Sequence, residues 1–211
     1  MLSRIAHELY WIGRRLSRAE HTARMLDGVF HADLQARPDN PAQWRLSWDS
    51  LLAIMGAEHP SALPATRDEV LTRLTLDHDD PAAILHCVTR AREGARTVRD
   101  VFSAEMWEAM NTFHLALLRQ DVSAALRAGP YSVYALVRER CGLFWGVTRR
   151  TMLRDEANAF LEAGAAIEAA DMVLRMLRVA LPPREGALES ESHLRDGQAL
   201  ALLQAVGGFQ A

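Results

Sequence analysis

The chain has 211 residues, 49% of them hydrophobic, which is enough to bury the core of a single domain over residues 1–211. Its 24 basic residues, all of them arginine, are opposed by 27 acidic residues, and the net charge is -3. A chain without net positive charge has no global field to hold a nucleic-acid backbone. We therefore expect no nucleic-acid partner.

Helix-favouring residues dominate the composition, and no stretch alternates strictly between apolar and polar residues, which predicts an all-α fold. The two cysteines, Cys87 and Cys141, lie inside helical patterns without a Cys-x-x-Cys spacing, and no signal-peptide pattern opens the chain. These features indicate a cytoplasmic protein. The longest apolar runs are far shorter than the roughly 20 residues that cross a bilayer, so we expect no membrane span.

The first predicted helix covers residues 3–33, because apolar residues advance along it by alternating steps of four and three. Prolines and turn-forming residues predict a loop at 35–43, and a short helix follows near 46–56. Thr66 and Glu69 have the capping-box pattern that begins another short helix.

Asp80 before Pro81 predicts the next helix, with an N-cap residue ahead of a proline at the first helical position. This helix is expected to run to about Phe102. Ser103 is then expected to cap a helix over residues 104–119.

Gly129 and Pro130 end that region, and no proline interrupts residues 131–179. That interval holds one very long helix or two nearly continuous helices, and we favour a break or kink near Arg154. A last helix is predicted near 191–206. Long helices joined by short breaks are typical of an up-and-down bundle.

An internal repeat is suggested because, at one fixed offset, Gly13 aligns with Gly164 and Leu26 aligns with Leu177. Helices rich in alanine, leucine and arginine also align by chance, so duplication and coincidence both remain open. Glycine inside a helix costs about 0.5–1 kcal/mol relative to alanine. We therefore expect the first helix and a helix over 155–179 to pack closely at the two glycines.

Two sets of charged residues lie one turn apart on the first predicted helix, Arg14 with Arg18 and Glu20 with Arg24. An exposed pair of opposite charges at this spacing stabilises a helix by only about 0.2–0.5 kcal/mol and carries no function. Buried against another helix, the same groups would form a binding or catalytic site.

A second charged cluster contains Arg92, Glu93, Arg96 and Arg99, whose three arginines follow one helix face. Three interpretations remain open. The cluster is a solvated face, or a strip whose arginine forks dock a carboxylate- or phosphate-bearing partner, or a set of internal pairs with acidic residues of the two similar helices.

No metal or organic cofactor is expected. The Glu-x-x-His motif of di-iron helical bundles does not occur, and the histidines in helical patterns, among them His7, His21, His86 and His114, are scattered. A glycine-rich phosphate cradle, a Gly-x-Ser-x-Gly elbow and a local Cys-His pair are absent as well.

Four blocks of residues, in order over nearly the whole chain, carry a resemblance to a known family. The blocks are Leu9-Tyr10-Trp11-Ile12-Gly13-Arg14 with Arg18-Ala19-Glu20-His21-Thr22-Ala23-Arg24; Ala91-Arg92-Glu93-Gly94-Ala95-Arg96-Thr97-Val98-Arg99-Asp100; Ser103-Ala104-Glu105-Met106-Trp107-Glu108-Ala109-Met110-Asn111; and Thr151-Met152-Leu153-Arg154-Asp155-Glu156 with Phe160, Gly164, Glu168 and Asp171. They resemble the alpha-E family of bacterial proteins, which is named for a helical fold with a Glu-Arg motif.

The charged clusters and these blocks together give the candidate binding residues. They are Arg14, Arg18, Glu20, Arg24, Arg92, Glu93, Arg96, Arg99, Trp107, Asn111, Arg154, Asp155, Glu156 and Asp171. The candidate catalytic residues are Glu20, Glu168, Arg18 and Arg154.

The chain departs from the family pattern at both copies of the Glu-Arg motif. Ser17 stands before Arg18 where the family usually has Glu, and Ala169 follows Glu168 where it usually has Arg. If the two helices lie side by side, Arg18 and Glu168 still form one Glu-Arg pair; the alternative is that the motif has lost its role. A buried arginine needs an anion, so we expect Arg14 or Arg18 within salt-bridge reach of an acidic residue near the second motif. The expected acidic residues are Glu168, Asp171 and Glu156.

The resemblance implies a role beside other proteins, because alpha-E proteins are similar to accessory components encoded with, or fused to, circularly permuted ATP-grasp ligases and transglutaminase-like proteins. The leading interpretation is a helical binding or scaffold protein that docks on such a ligase and presents its peptide or amino-acid substrate. The alternative is an enzyme in its own right, in which Glu168 or Glu20 acts as a general base beside Arg18 or Arg154.

The resemblance also implies that the family's last helices are missing, because the chain stops soon after the apolar segment at 200–209. Such a segment is rarely left exposed in a monomer. It is expected to fold back, to pair with a second copy of the chain, or to meet a partner protein.

Overall fold

A computed structural model describes residues 1–34, 47–57, 63–119 and 122–180. Over these ranges the chain forms eight α-helices, one short 3₁₀ helix and no strand, so the predicted all-α fold is confirmed. The α-helices are α1 Ser3–Leu34, α2 Trp48–Met55, α3 Arg67–Leu76, α4 Ile84–Thr97, α5 Ala104–Arg119, α6 Val122–Ala128, α7 Tyr131–Thr151 and α8 Glu156–Ala180, and the 3₁₀ helix is Arg99–Val101. None of the described helices has the length and apolar character that a bilayer crossing requires.

Local capping signals place several of these helices where the sequence predicts them. The Thr66 hydroxyl accepts from the Glu69 amide, and the Glu69 carboxylate accepts from the Thr66 amide at 3.0 Å, so the capping box of α3 is complete. The Ser103 hydroxyl caps α5 by accepting from the Met106 amide at 3.1 Å. The predicted loop at 35–43 and the predicted helix near 191–206 lie outside the described residues.

The predicted start of α4 at Asp80-Pro81 is wrong by about one turn, since α4 begins at Ile84. Asp80 does not cap this helix. One oxygen of its carboxylate accepts from the Ala82 amide at 2.8 Å, and the other accepts from the Arg73 guanidinium at 2.7 Å. Asp80 therefore closes a local turn and ties it to α3, and the helix begins after that turn.

The predicted end of α4 near Phe102 is also wrong, because the helix stops at Thr97. The Thr97 hydroxyl donates to the Gly94 carbonyl oxygen, and Val98 leaves helical geometry with φ -119 and ψ 30. The 3₁₀ helix then carries the chain to α5.

The break predicted near Arg154 is confirmed. The α-helix α7 ends at Thr151 and α8 begins at Glu156. The Asp155 carboxylate begins α8 by accepting from the Ala157 amide at 3.0 Å. The short helix α6 was not predicted from the sequence.

Helix α1 is central to the described fold and packs against α8, α4 and α7, while α5 packs against α4 and α7. Most of its predicted apolar stripe is buried, and only Ile5 and Phe30 at the two ends are partly buried. The buried stripe residues of α1 are Leu9, Ile12, Leu16, Ala19, Ala23 and Leu26. Because α1 contacts both α4 and α8, side chains that flank its buried stripe lie between those two helices.

The backbones of α1 and α8 touch where the two glycines meet, as predicted. A Cβ atom added to Gly13 would overlap the carbonyl oxygen of Leu161, and one added to Gly164 would overlap the carbonyl oxygen of Tyr10. Each glycine thus faces the residue that lies three positions before the other glycine. A duplicated helix would give this equivalence, although the duplication itself stays a prediction.

We expect Gly13→Ala to lower the free energy of unfolding by at least about 2 kcal/mol, because the added methyl group meets rigid backbone and the helices must separate. Gly142→Ala is the matched control. No neighbouring atom of the described chain lies within 4 Å of a Cβ added at Gly142, so alanine should stabilise α7 by about 0.5–1 kcal/mol. Urea denaturation of both variants checks this, and equal effects would contradict the contact.

Candidate functional site

A buried carboxylate from α8 lies between two guanidinium groups of α1. The Glu168 side chain is 1% exposed, and Arg14 and Arg18 are 18% and 21% exposed. Arg14 reaches one carboxylate oxygen through Nε at 2.7 Å and Nη2 at 2.6 Å. Arg18 Nε donates to the other oxygen at 2.5 Å. The predicted pairing of Glu168 with Arg14 or Arg18 is confirmed, and both arginines take part.

The helix crossing explains this arrangement. Arg14 and Arg18 are one turn apart on α1, and Glu168 follows the contact glycine Gly164 by one turn on α8. Glycine contact brings the two backbones close enough for the short carboxylate to reach both guanidinium groups. Burial alone would lower the pKa of Arg14, but the hydrogen bond and negative charge of Glu168 outweigh burial and raise that pKa above its usual value.

Asp171 extends the charged group by one further turn of α8. Its carboxylate lies 2.9 Å from Arg175 Nη2 and 3.6 Å from Arg14 Nη2. The third expected acidic residue, Glu156, does not join this group. Its carboxylate instead lies 3.1 Å from the amino group of Met1.

A cavity of about 130 Å³ opens beside Glu168, between α1, α8 and the beginning of α4. Its lining residues are Trp11, Arg14, Arg15, Arg18, Pro81, His86, Cys87 and Glu168. Three guanidinium groups and one carboxylate therefore face the same small space.

Arg15 differs from the other two arginines of the cavity. Its Nη1 donates to the carbonyl oxygen of Arg90 at 3.2 Å. Among the residues that the structure describes, no carboxylate lies within ion-pair distance of its guanidinium group. Burial, and then the charge of the neighbouring Arg90, lower the pKa of Arg15.

Cys87 forms an uncharged part of the cavity wall. Its thiol is buried and donates to the Pro81 carbonyl oxygen at 3.3 Å. Burial raises the pKa of Cys87 to about 12 although the charge of Arg18 opposes it. At neutral pH this cysteine is a protonated thiol and not a nucleophile.

The sequence profile of one protein family matches residues 1–211 of this chain, which is its whole length. That family, Alpha-E, is described as a predicted alpha-helical domain with a conserved ER motif. The chain belongs to the alpha-E family. No curated protein and no solved structure is similar enough to match it. In this alpha-E chain, a Glu-Arg pair joins two different helices, with Arg18 on α1 and Glu168 on α8.

The other pair proposed on the first helix of the alpha-E chain lies apart from the cavity. Glu20 accepts from Arg24 at 2.8 Å across one turn of α1, and neither residue lines the cavity. Arg154 is exposed in the break before α8, and Asp155 serves as the cap of that helix. The structure therefore brings Glu168 and Arg18 together and leaves Glu20 and Arg154 elsewhere.

The second charged cluster of the alpha-E chain is divided by its contacts. The guanidinium groups of Arg92 and Arg99 lie 5.6 and 5.1 Å from the centre of the Trp107 ring. Arg92 Nε also donates to the Asn111 side-chain oxygen at 2.8 Å. The two arginines thus pack on an indole of α5.

The remaining members of that cluster face other directions. Glu93 pairs with Arg90 at 2.8 Å on the exposed side of α4, and Arg96 is exposed. The three arginines do not form one continuous docking strip.

Sequence reasoning did not single out Arg15 or His86 as site residues of the alpha-E chain. Arg15 was detectable as a third arginine within five residues of Arg14 and Arg18. His86 carries no comparable signal in the sequence. It lines the cavity only because of where α4 begins.

We expect Glu168→Gln to destabilise the fold by about 3 kcal/mol, because the amide cannot neutralise two partly buried guanidinium groups. Glu20→Gln is the matched control and removes a carboxylate from a one-turn pair on α1, at a cost of about 0.5 kcal/mol or less. Chemical denaturation of both variants measures the difference. A Glu168→Gln loss no larger than that of the control would contradict a central role for the ion pair.

Both cysteines should resist thiol reagents in the folded protein. Burial raises the pKa of Cys141 as well, so neither residue presents an appreciable fraction of thiolate at pH 8. Absorbance after addition of Ellman's reagent should show no native reaction and two reacting thiols in guanidinium chloride. Rapid release of one equivalent of the coloured product from native protein would show that the reagent reaches Cys87 through the cavity.

Proposed function

We propose that this chain is a helical binding component that docks on an ATP-grasp-type amide-bond ligase and presents the ligase's peptide or amino-acid substrate. The observation that carries this proposal is an apolar stripe on the exposed side of α8. The stripe is defined by Phe160, Ala163, Ile167, Ala170, Leu174 and Leu177, all of them exposed.

The stripe has the spacing of a helix-packing surface. Its members advance by steps of three and four along α8, the pattern with which one helix packs along another. Ile167 is 48% exposed and Leu174 is 66% exposed. Within the described part of the chain, no helix covers them. Water-facing helix surfaces usually carry polar residues, so an apolar stripe of this length favours a protein-binding role.

The opposite side of α8 is already used by the fold. Leu161, Met172 and Met176 are buried there, and Gly164 contacts α1. Since α8 is fixed by this inner contact, its outer stripe is held as a rigid surface. A rigid apolar helix face loses little conformational entropy when a partner binds.

The geometry around the candidate catalytic residues favours binding over catalysis. Both oxygens of Glu168 accept charge-assisted hydrogen bonds from arginines, so a proton taken up there would disrupt the ion pair that joins α1 to α8. Glu20 is held by Arg24. An enzyme with either carboxylate as general base is therefore the weaker candidate.

The choice of partner rests on the family. Alpha-E proteins resemble accessory components encoded with, or fused to, circularly permuted ATP-grasp ligases and transglutaminase-like proteins. A ligase that joins amino acids needs its substrate held in position, which a helical subunit can supply without catalytic groups.

We expect the chain to form a complex with the ATP-grasp ligase of its native host, and Leu174→Asp to weaken that complex at least tenfold, because a charge would be buried in an apolar contact. Leu143→Asp makes the same change at an exposed leucine of α7 and should leave the affinity unchanged. Titration of labelled ligase with each variant gives the dissociation constants.

Three results would contradict this proposal. The two variants could weaken binding equally, or the purified chain could be a dimer in light scattering that Leu174→Asp dissociates. As a third contradicting result, Leu174→Asp could lower the unfolding free energy as much as a core substitution does. The stripe would then be covered by another part of the same chain.

A further inference from the structure

We propose that the cavity between α1, α4 and α8 binds a single carboxylate group, and that Arg15 is the residue that binds it. The proposal rests on the proposed function for the origin of that group, which would be the carboxylate of the presented peptide or amino acid. The binding site itself is argued from the residues that line the cavity.

The wall of the cavity carries an excess of positive charge. Arg14, Arg15 and Arg18 line the cavity, and Glu168 is its one lining carboxylate among the described residues. Because Glu168 binds Arg14 and Arg18 through its two oxygens, its charge is shared by two cations. Arg15 faces the same space and forms no ion pair within the described chain, although Glu8 and Glu93 act on it at longer range. An anion entering the cavity would meet a guanidinium group that no carboxylate occupies.

Contacts with Trp11 and Arg90 orient the guanidinium group of Arg15. The Trp11 ring lies 5.4 Å from the Arg14 guanidinium carbon and 5.6 Å from that of Arg15, so the indole supports the faces of both groups. Arg15 uses Nη1 for the Arg90 carbonyl oxygen. Its other N–H groups remain for a ligand, and a guanidinium edge matches the two oxygens of a carboxylate.

A third group, His86, adds a polar atom to the wall. Its Nδ1 lies 2.5 Å from the carbonyl oxygen of His78, which can only accept, so Nδ1 carries the proton and donates. The ring is fixed by this bond. Its Nε2 makes no hydrogen bond within the described residues, and it lies on a ring that lines the cavity. A ligand or its bound water can therefore bond to this nitrogen.

The size of the cavity and the proposed function favour a carboxylate at the end of a peptide or amino acid. The cavity of about 130 Å³ is several times the roughly 30 Å³ that one water occupies in the liquid, yet it is below the roughly 300 Å³ of pockets for whole drug-sized molecules. It thus accepts the end of a molecule. Its net positive wall attracts any anion, and the proposed presentation of a peptide or amino acid makes a carboxylate the anion that the site would meet.

The remaining walls strengthen this interaction without competing for the ligand. Pro81 and the protonated thiol of Cys87 bring no charge. Charge-assisted hydrogen bonds are stronger where such groups exclude water. The bound carboxylate would therefore be held by Arg15, with the Glu168 ion pair as a fixed support beside it.

The test is a titration of the purified full chain, followed by the ¹⁵N–¹H signal of Arg15 Nε in nuclear magnetic resonance. The probe is N-acetylglycine, which carries one peptide-like carboxylate. N-acetylglycinamide, which lacks the charge, and inorganic phosphate are titrated in parallel. We expect a saturable shift with N-acetylglycine, none with the amide, and weaker binding of phosphate.

Variants then assign the binding to Arg15. Arg15→Gln should weaken binding of N-acetylglycine at least about tenfold, as expected for the loss of a hydrogen-bonded charge. Arg15→Lys keeps the charge but not the fork and should give an intermediate loss. Arg149→Gln removes an exposed arginine of α7 and is the matched control, with no expected change. The thermal unfolding midpoint of each variant confirms that it folds.

The proposal is overturned if N-acetylglycine does not bind, if it binds Arg15→Gln as well as the unaltered chain, or if phosphate binds more tightly. All of these measurements use the chain without a ligase. Failure here with an intact ligase complex would remove the carboxylate site and leave the docking role. If N-acetylglycine binds but no ligase complex forms, the carboxylate site stands and the docking role is removed.

Discussion

Two backbones touch where α1 crosses α8, and the carboxylate of Glu168 is buried one turn beyond that contact. Each feature requires the other. Without Gly13 and Gly164 the helices would lie too far apart for Glu168 to reach both arginines of α1. Without the two arginines, the buried carboxylate would cost several kcal/mol, and the close crossing would lose its electrostatic support. The wall of the cavity and the fixed position of α8 both follow from this contact.

The arginines of this chain therefore have separate roles. Arg14 and Arg18 neutralise a carboxylate of the protein itself, while Arg92 and Arg99 pack on Trp107. These groups are held by internal partners and contribute to a defined packing. Arg15 is held by a backbone carbonyl, which satisfies a hydrogen bond but leaves its guanidinium group without an ion pair among the described residues. Partner type, more than exposure, distinguishes a structural arginine from one that can bind a ligand.

Much of the fold and part of the site could be predicted from the sequence. The buried stripe of α1, the glycine contact and the pairing of Arg18 with Glu168 all follow from spacing and from the cost of burying charge. The cavity could not be predicted, since its third wall depends on where α4 begins. Asp80 has the residue type of an N-cap, but its bond to Arg73 fixes a turn instead. That tertiary contact has no signal in the local sequence.

The contact between α1 and α8 joins residues that are 150 positions apart along the chain. A ribosome that adds about 5–20 residues per second needs on the order of ten seconds to synthesise that interval. During this time α1 has left the ribosome, and the α8 side of its surface has no partner. The native crossing must also bring distant segments together, which slows folding relative to bundles built from neighbouring helices. The same contact that fixes the folded protein thus leaves one side of its first helix without its native partner until synthesis is nearly complete.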